Sequence, residues 1–217
     1  MECLSHSARS SSDPAVLRAI RMEDCNLAIW HRAAFADFAP LVGGEPQDLR
    51  FVGAPRGLAD RLLRELASAG FGGDPQLHSA LAEDAAQLAR LFCAAMDIAT
   101  FELRLEVVRT DSCRRFHADY VSARLITTYV GEGTDWLADA DAERVGAGTE
   151  PHRINRLAAF DVALFKGKLA TDRPAIHRSP PIAGTAGGAR LLLVLNPASR
   201  SFVDASQSAL PPSRHLA

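Results

Sequence analysis

The chain has 217 residues, 47% hydrophobic and 23% charged, which suits a globular domain with one well-buried core. Lys and Arg number 24 against 26 Asp and Glu, a net charge of −2, and this excludes the basic excess expected of an obligatory nucleic-acid binder. No apolar run approaches the roughly 20 residues of a membrane span, and the N-terminus, MECLSHSARSSSDP, has no apolar signal region.

Residues 1–12 are Ser-rich and are expected to be disordered. Asp13-Pro14 then opens a helix, an N-cap carboxylate followed by proline at the first helical position. After the loop LVGGEPQD, residues 54–73 read as an amphipathic helix striped by Leu58, Leu62, Leu63 and Leu66 and stopped by glycines. A longer helix starts at a second Asp-Pro, Asp74-Pro75, and carries Leu77, Leu81, Leu88, Leu91 and Phe92. The pattern then changes to period two. FELRLEVVRT alternates Phe101, Leu103, Leu105 and Val107 against Glu102, Arg104 and Glu106, a strand with one buried face. RFHADYVSARLITTYVG, LAAFDVALFKGK and ARLLLVLNP follow as extended runs, and TDWL and PAIHRSP as short strands. The chain thus divides into a helical part over 13–98, a strand part over 99–197 and a loose tail over 198–217. Helices before strands, with no βαβ alternation, imply an α+β fold in which a barrel or jelly roll packs on helices.

The chemistry concentrates in the strand part. Residues two apart on a strand share a face, so His117 and Asp119 can aim into one cavity. His177, 58 positions after Asp119 (177 − 119), can return beside them on a later strand and complete two histidines and one carboxylate. That set leaves coordination positions open and suits non-haem Fe(II). The plainer alternative is a hydrogen-bonded His117–Asp119 pair with His177 at a turn. Tyr129 shares parity with the first two residues and is expected to face the same cavity. Cys113, four residues before His117, would suit Zn(II) in a closed set with His117, Asp119 and His177. GEGTDWL reads as a hairpin turn with Trp136 walling a pocket, GTAGGAR as a flexible turn, and His152 as a solvent-loop residue. Trp30-His31 reads as packing of the helical part.

His-x-Asp, a distal His and a later Arg, each in a strand context, resemble the Fe(II)- and 2-oxoglutarate-dependent dioxygenases over roughly residues 101–197. The resemblance implies a double-stranded β-helix with N-terminal helices packed against it. It also implies Fe(II) held by His117, Asp119 and His177, and 2-oxoglutarate paired through its distal carboxylate with Arg190. Arg124 and Arg178 are rivals for that carboxylate, because the Arg190 spacing and Leu192 two positions later depart from the family's pattern. Cys-x-x-Phe-His-x-Asp, Cys113 to Asp119, also resembles an uncharacterised bacterial family. The expectation is therefore an oxygenase of a small-molecule or peptide substrate. Its rivals are a Zn(II)-binding protein of metal homeostasis and a metal-free recognition module. The scattered Cys3, Cys25, Cys93 and Cys113, without CxxC, point to a reducing, cytoplasmic setting with no membrane partner. Nothing in the pattern sets the oligomeric state.

Overall fold

The computed structural model describes residues 7–111, 113–182 and 188–198. Among the described residues ten strands form two sheets. β1 (Ala8–Ser11), β2 (Leu27–Trp30), β3 (Leu49–Gly53), β4 (Phe101–Val108), β5 (Ala123–Val130), β8 (Val162–Lys166) and β10 (Arg190–Pro197) make the large one, in the order β1-β2-β8-β5-β10-β4-β3. β6 (Asp135–Trp136), β7 (Asn155–Arg156) and β9 (His177–Arg178) make the small one, in the order β7-β6-β9. All pairings are antiparallel except β1 with β2. From β5 onward the chain crosses to the small sheet for β6 and β7, returns for β8, crosses for β9 and returns for β10.

The helices follow their cap signals. α2 (Pro75–Met96) starts where the Asp74 carboxylate accepts from the Leu77 amide at 2.8 Å, with proline at its first position. It ends at Asp97, whose φ of 55° supplies the left-handed cap. α1 (Leu58–Ser68) buries Leu58, Leu62 and Leu66. Asp13-Pro14 opens a 3-10 helix over Pro14–Arg21 rather than an α-helix. Its buried residues, Leu17 and Ile20, stand three apart, the period of the tighter helix. A third α-helix, α3, spans Asp139–Gly146 between β6 and β7.

The large sheet separates two apolar cores. One gathers Leu17, Leu62, Leu66, Leu88 and Phe92 of the helices with Leu103, Leu125, Leu164, Leu191, Leu193 and Leu195 of the strands. The other, between the sheets, gathers Leu27, Ile29, Ile126, Ala163, Phe165, Leu192 and Val194, with Trp136 packed on it. β8 and β10 therefore feed alternate residues into opposite cores, which is why both read as continuous apolar runs.

Three local expectations are corrected. The segment over 13–98 is not purely helical: β2 and β3 lie within it, and β1 within the stretch expected to be disordered. These strands are four or five residues long, too short to show a period beside strong helical signals. GEGTDWL is not a hairpin turn, because β6 pairs with β7 and β9 and not with β5. It is a corner between sheets. There Gly131 takes φ 82°, and a Cβ on Gly133 would stand 2.0 Å from the Leu157 carbonyl oxygen. The expected loose tail beyond residue 198 and most of GTAGGAR lie outside the described residues. Among the described residues no helix is long and apolar enough to cross a membrane.

Candidate metal centre

The site is built on the free edge of β9. His117 donates its amide to the His177 carbonyl at 2.9 Å, and His177 returns the bond at 3.0 Å. Ser179 donates to the Cys113 carbonyl at 3.1 Å, so the 113–117 segment lies along β9 as an added edge. This two-way bridge brings the imidazoles, 60 residues apart in sequence (177 − 117), to a ring separation of 4.8 Å. The run from Arg115 is not one strand. β5 begins only at Ala123, and residues 119–122 are irregular, tied to the 167–169 turn by Lys168 N–H to Asp119 O at 2.9 Å and Gly167 N–H to Ser122 O at 3.0 Å. Gly167 is required there, since a Cβ would stand 2.2 Å from the Val121 carbonyl oxygen.

His117, Asp119 and His177 gather with one ligand atom each, all within 4.8 Å of one another. His117 Nδ1 lies 2.9 Å from the Arg115 carbonyl and His177 Nδ1 lies 3.4 Å from that of Ala175. Protonation at Nδ1 leaves both Nε2 lone pairs free for a ligand, the usual device for fixing a metal-binding tautomer. Asp119 Oδ1 accepts from Arg124 Nη1 at 2.6 Å and lies 3.8 Å from His117 Nε2. Its Oδ2 is buried, 3.3 Å from His177 Nε2, and makes no hydrogen bond of good geometry. A buried carboxylate oxygen without a donor is costly. With His177 Nε2 facing it and His117 Nε2 facing the other oxygen of the same carboxylate, it fits a divalent cation. Burial pushes the Asp119 carboxyl up, yet His177, Arg124 and His117 together bring it below its ordinary value, so it is ionised at neutral pH.

His117 and His177 line a cavity of about 100 Å³ that also holds Cys113, Arg124, Arg178, Ser179 and Arg190, with Asp119 behind it on Arg124 and His177. Arg190 is 1% exposed. Its Nε donates to the Glu132 carbonyl at 2.6 Å, and its Nη atoms donate to Ser179 Oγ at 3.0 Å and to Thr128 and Thr134 Oγ1 at 3.3 Å. All four acceptors are neutral, and among the described residues no carboxylate forms an ion pair with it, Asp135 and Glu132 acting on it only at longer range. Burial brings its guanidinium down to about 10, which still leaves it charged at neutral pH. Arg178 is committed elsewhere: its Nε donates to Asp135 at 3.1 Å and its guanidinium lies 4.3 Å from the Phe116 ring centroid.

Two expected residues fall outside the cluster. Tyr129 is on the opposite face of the large sheet, where its hydroxyl donates to Asp84 Oδ2 of α2 at 2.6 Å. The irregular 119–122 segment breaks the parity that linked it to His117, so even-numbered β5 residues, Arg124 and Ile126, line the cavity instead. Cys113 is exposed and lines the cavity, but is not one of the three clustered ligands. His152 is exposed, its amide donating to Asp141 at 2.7 Å. Sequence reasoning missed the Arg124–Asp119 pair as a support for a ligand. No local signal predicts it, because residues five apart on a regular strand point to opposite faces, and only the irregular 119–122 segment brings the two together.

The sequence model of the family described as "Protein of unknown function (DUF1826)" matches residues 11–196, which include Cys-x-x-Phe-His-x-Asp, His177 and Arg190. The chain belongs to this family. No curated protein matches it. Among solved structures this DUF1826 chain is similar to the dioxygenase for auxin oxidation 1 of Arabidopsis thaliana in its 2-oxoglutarate complex. There the identity is 8% and the TM-score 0.46, covering 88% of this chain and 91% of that one. It is also similar to the rice dioxygenase for auxin oxidation, at 12% identity and TM-score 0.45, covering 88% and 82%. A Pseudomonas putida prolyl-4-hydroxylase is similar at 17% identity and TM-score 0.43, covering 89% and 98%. Each of these three TM-scores is below 0.5, and function is read from the residues themselves.

Proposed function

We propose that the protein is an Fe(II)- and 2-oxoglutarate-dependent dioxygenase, a hydroxylase on a double-stranded β-helix. One observation carries the reading. A buried guanidinium with no ion-paired carboxylate among the described residues, Arg190, shares its cavity with two imidazoles, and 3.3 Å from one of them lies an Asp119 oxygen that has no donor. Such a pairing suits a metal and an anionic co-ligand bound side by side. His117 Nε2, Asp119 and His177 Nε2 would hold Fe(II), leaving positions open for further ligands. Bound iron with 2-oxoglutarate supplies the activation of dioxygen for hydroxylation of a C–H bond.

The chain's own residues supply orientation, charge and dryness. The carbonyls of Arg115 and Ala175 fix the histidine tautomers. Arg124 holds Asp119 Oδ1, and its Nε is itself held by Asn196 Oδ1 at 2.8 Å, so the carboxylate cannot turn freely. Four of the five Arg190 N–H groups already donate to neutral oxygens, so it would meet the distal carboxylate of the cosubstrate with its remaining Nη1 N–H and by exchanging a neutral acceptor for the carboxylate. Ile126, Leu192 and Val194 wall the cavity and limit water. A space of about 100 Å³ admits about three waters, so a five-carbon dicarboxylate needs an arginine side chain to swing aside. Cys113 standing outside the three-ligand cluster favours this reading over a closed Zn(II) site of metal homeostasis.

The test is an anaerobic titration of metal-free protein with Fe(II) and then 2-oxoglutarate, following the visible metal-to-ligand charge-transfer band, with His117→Ala alongside. A band in the wild type that the variant lacks is the expected result. No band, with tight Zn(II) binding that Cys113→Ala abolishes, would replace the oxygenase reading with the zinc one.

A further inference from the structure

A second cavity, of about 480 Å³, lies between the edge strand β1 and its neighbour β2 of the large sheet and β6 and β7 of the small one. Directly paired residues form a single row across the small sheet and its added edge. Asn155 stands opposite Trp136, Trp136 opposite His177, and His177 opposite His117. Directly opposed residues of antiparallel strands project to the same face, and adjacent strands are about 4.8 Å apart. Trp136 is therefore one strand from His177, on the face that carries the metal ligands. Asn155 and Trp136 line the larger cavity, while His177 and His117 line the smaller. The row runs from the roomier space towards the metal ligands, although the two cavities have no lining residue in common.

The walls of the larger cavity say what fits it. Ile29, Leu157 and Trp136 give an apolar floor and one flat aromatic surface. Arg9, Arg153 and Arg156 line it against a single carboxylate, Asp161. Asp161 already lies 3.2 Å from His31 Nδ1. Arg156 is held in place by the buried Asp135 at 2.7 Å and by Glu132 at 2.5 Å. Arg9 is the adaptable cation. It is 42% exposed, its partner Asp24 is 60% exposed, and such a surface pair contributes roughly 1 kcal/mol or less. A ligand anion can therefore recruit it at little cost.

We propose that this cavity is the substrate site and that it takes a small anion, a carboxylate or phosphate monoester on a flat apolar body. The body lies against Trp136 and the anionic end turns to Arg9, which leaves the far end of the body facing His177. The assignment of this space to substrate rests on the oxygenase reading above. The anion preference rests on the cavity alone.

The experiment uses metal-free full-length protein and three probes of one shape: 2-naphthoate, 2-naphthyl phosphate and the neutral 2-naphthamide. The chain has two tryptophans, so Trp30→Phe leaves Trp136 as the sole tryptophan reporter. Calorimetric titration of the wild type gives the same affinities without that substitution. The anions are expected to quench Trp136 saturably and to bind at least tenfold more tightly than the amide. Arg9→Gln is expected to remove most of that preference and Arg190→Gln to leave it. Whichever anion binds tighter identifies the headgroup as carboxylate or phosphate. Equal binding of all three probes overturns the proposal, as does no binding, or a preference lost in Arg190→Gln and kept in Arg9→Gln. Fe(II) binding is measured on the same preparations. Its absence overturns the oxygenase reading while leaving the anion site standing, and its presence without anion binding overturns the site alone.

Discussion

Replacing Arg190 with Gln removes a guanidinium that is 1% exposed and whose four hydrogen bonds all run to neutral oxygens. Folding has already stripped this cation of water, so a carboxylate arriving beside it gains charge-assisted bonds without a second desolvation of the guanidinium. Each such bond contributes ~1.5–3 kcal/mol. Losing about 3 kcal/mol weakens binding roughly 100-fold, at about 1.4 kcal/mol per tenfold. Arg190→Lys keeps the charge and loses the fork, so an intermediate loss of roughly tenfold is expected. The assay is anaerobic calorimetric titration of 2-oxoglutarate into Fe(II)-loaded protein, with Fe(II) affinity and the urea midpoint measured for each variant. The expected pattern is a large loss of cosubstrate affinity at unchanged Fe(II) affinity. A Gln variant that folds, holds Fe(II) and binds 2-oxoglutarate within threefold of wild type would refute the argument.

Four further outcomes are expected. Asp84→Asn breaks a buried pair with Arg32 at 2.5 Å and weakens the acceptor of the Tyr129 hydroxyl, so urea unfolding should show a loss of about 3–5 kcal/mol. Fe(II) affinity should not move, because this network lies on the helix side of the large sheet. Gly167→Ala sets a Cβ 2.2 Å from the Val121 carbonyl oxygen and 2.9 Å from that of Asp119. It should cost roughly 1–3 kcal/mol and, by shifting the segment that carries Asp119, also lower Fe(II) affinity in the same titration. Thiol labelling of the native protein, mapped by mass spectrometry, should modify exposed Cys113 well before Cys25 and Cys93, whose thiols burial holds above their ordinary range. Cys113→Ala should leave Fe(II) binding intact.

The sequence by itself determined the pieces whose cause is local. The two Asp-Pro starts were legible because a carboxylate and a proline act within three residues of the helix end. β4 was legible from its period, and β8 and β10 from unbroken apolar runs that a doubly covered sheet demands. The three clustered residues were also legible as candidates, since His-x-Asp followed by a distal His is a pattern of residue types in order. What only the tertiary structure decided was which of them meet and what surrounds them. The His117–His177 bridge is a pairing across 60 positions (177 − 117), which no local signal encodes. The irregular turn at 119–122 reversed the parity of β5 and sent Tyr129 to Asp84 while turning Arg124 to Asp119. The short strands β1, β2, β6 and β7 exist because neighbours complete their hydrogen bonds, and they bring Arg9, Trp136 and Arg156 around one cavity. Periodicity reports what one element buries; it carries no record of the partner on which a single-turn strand or a buried charge depends.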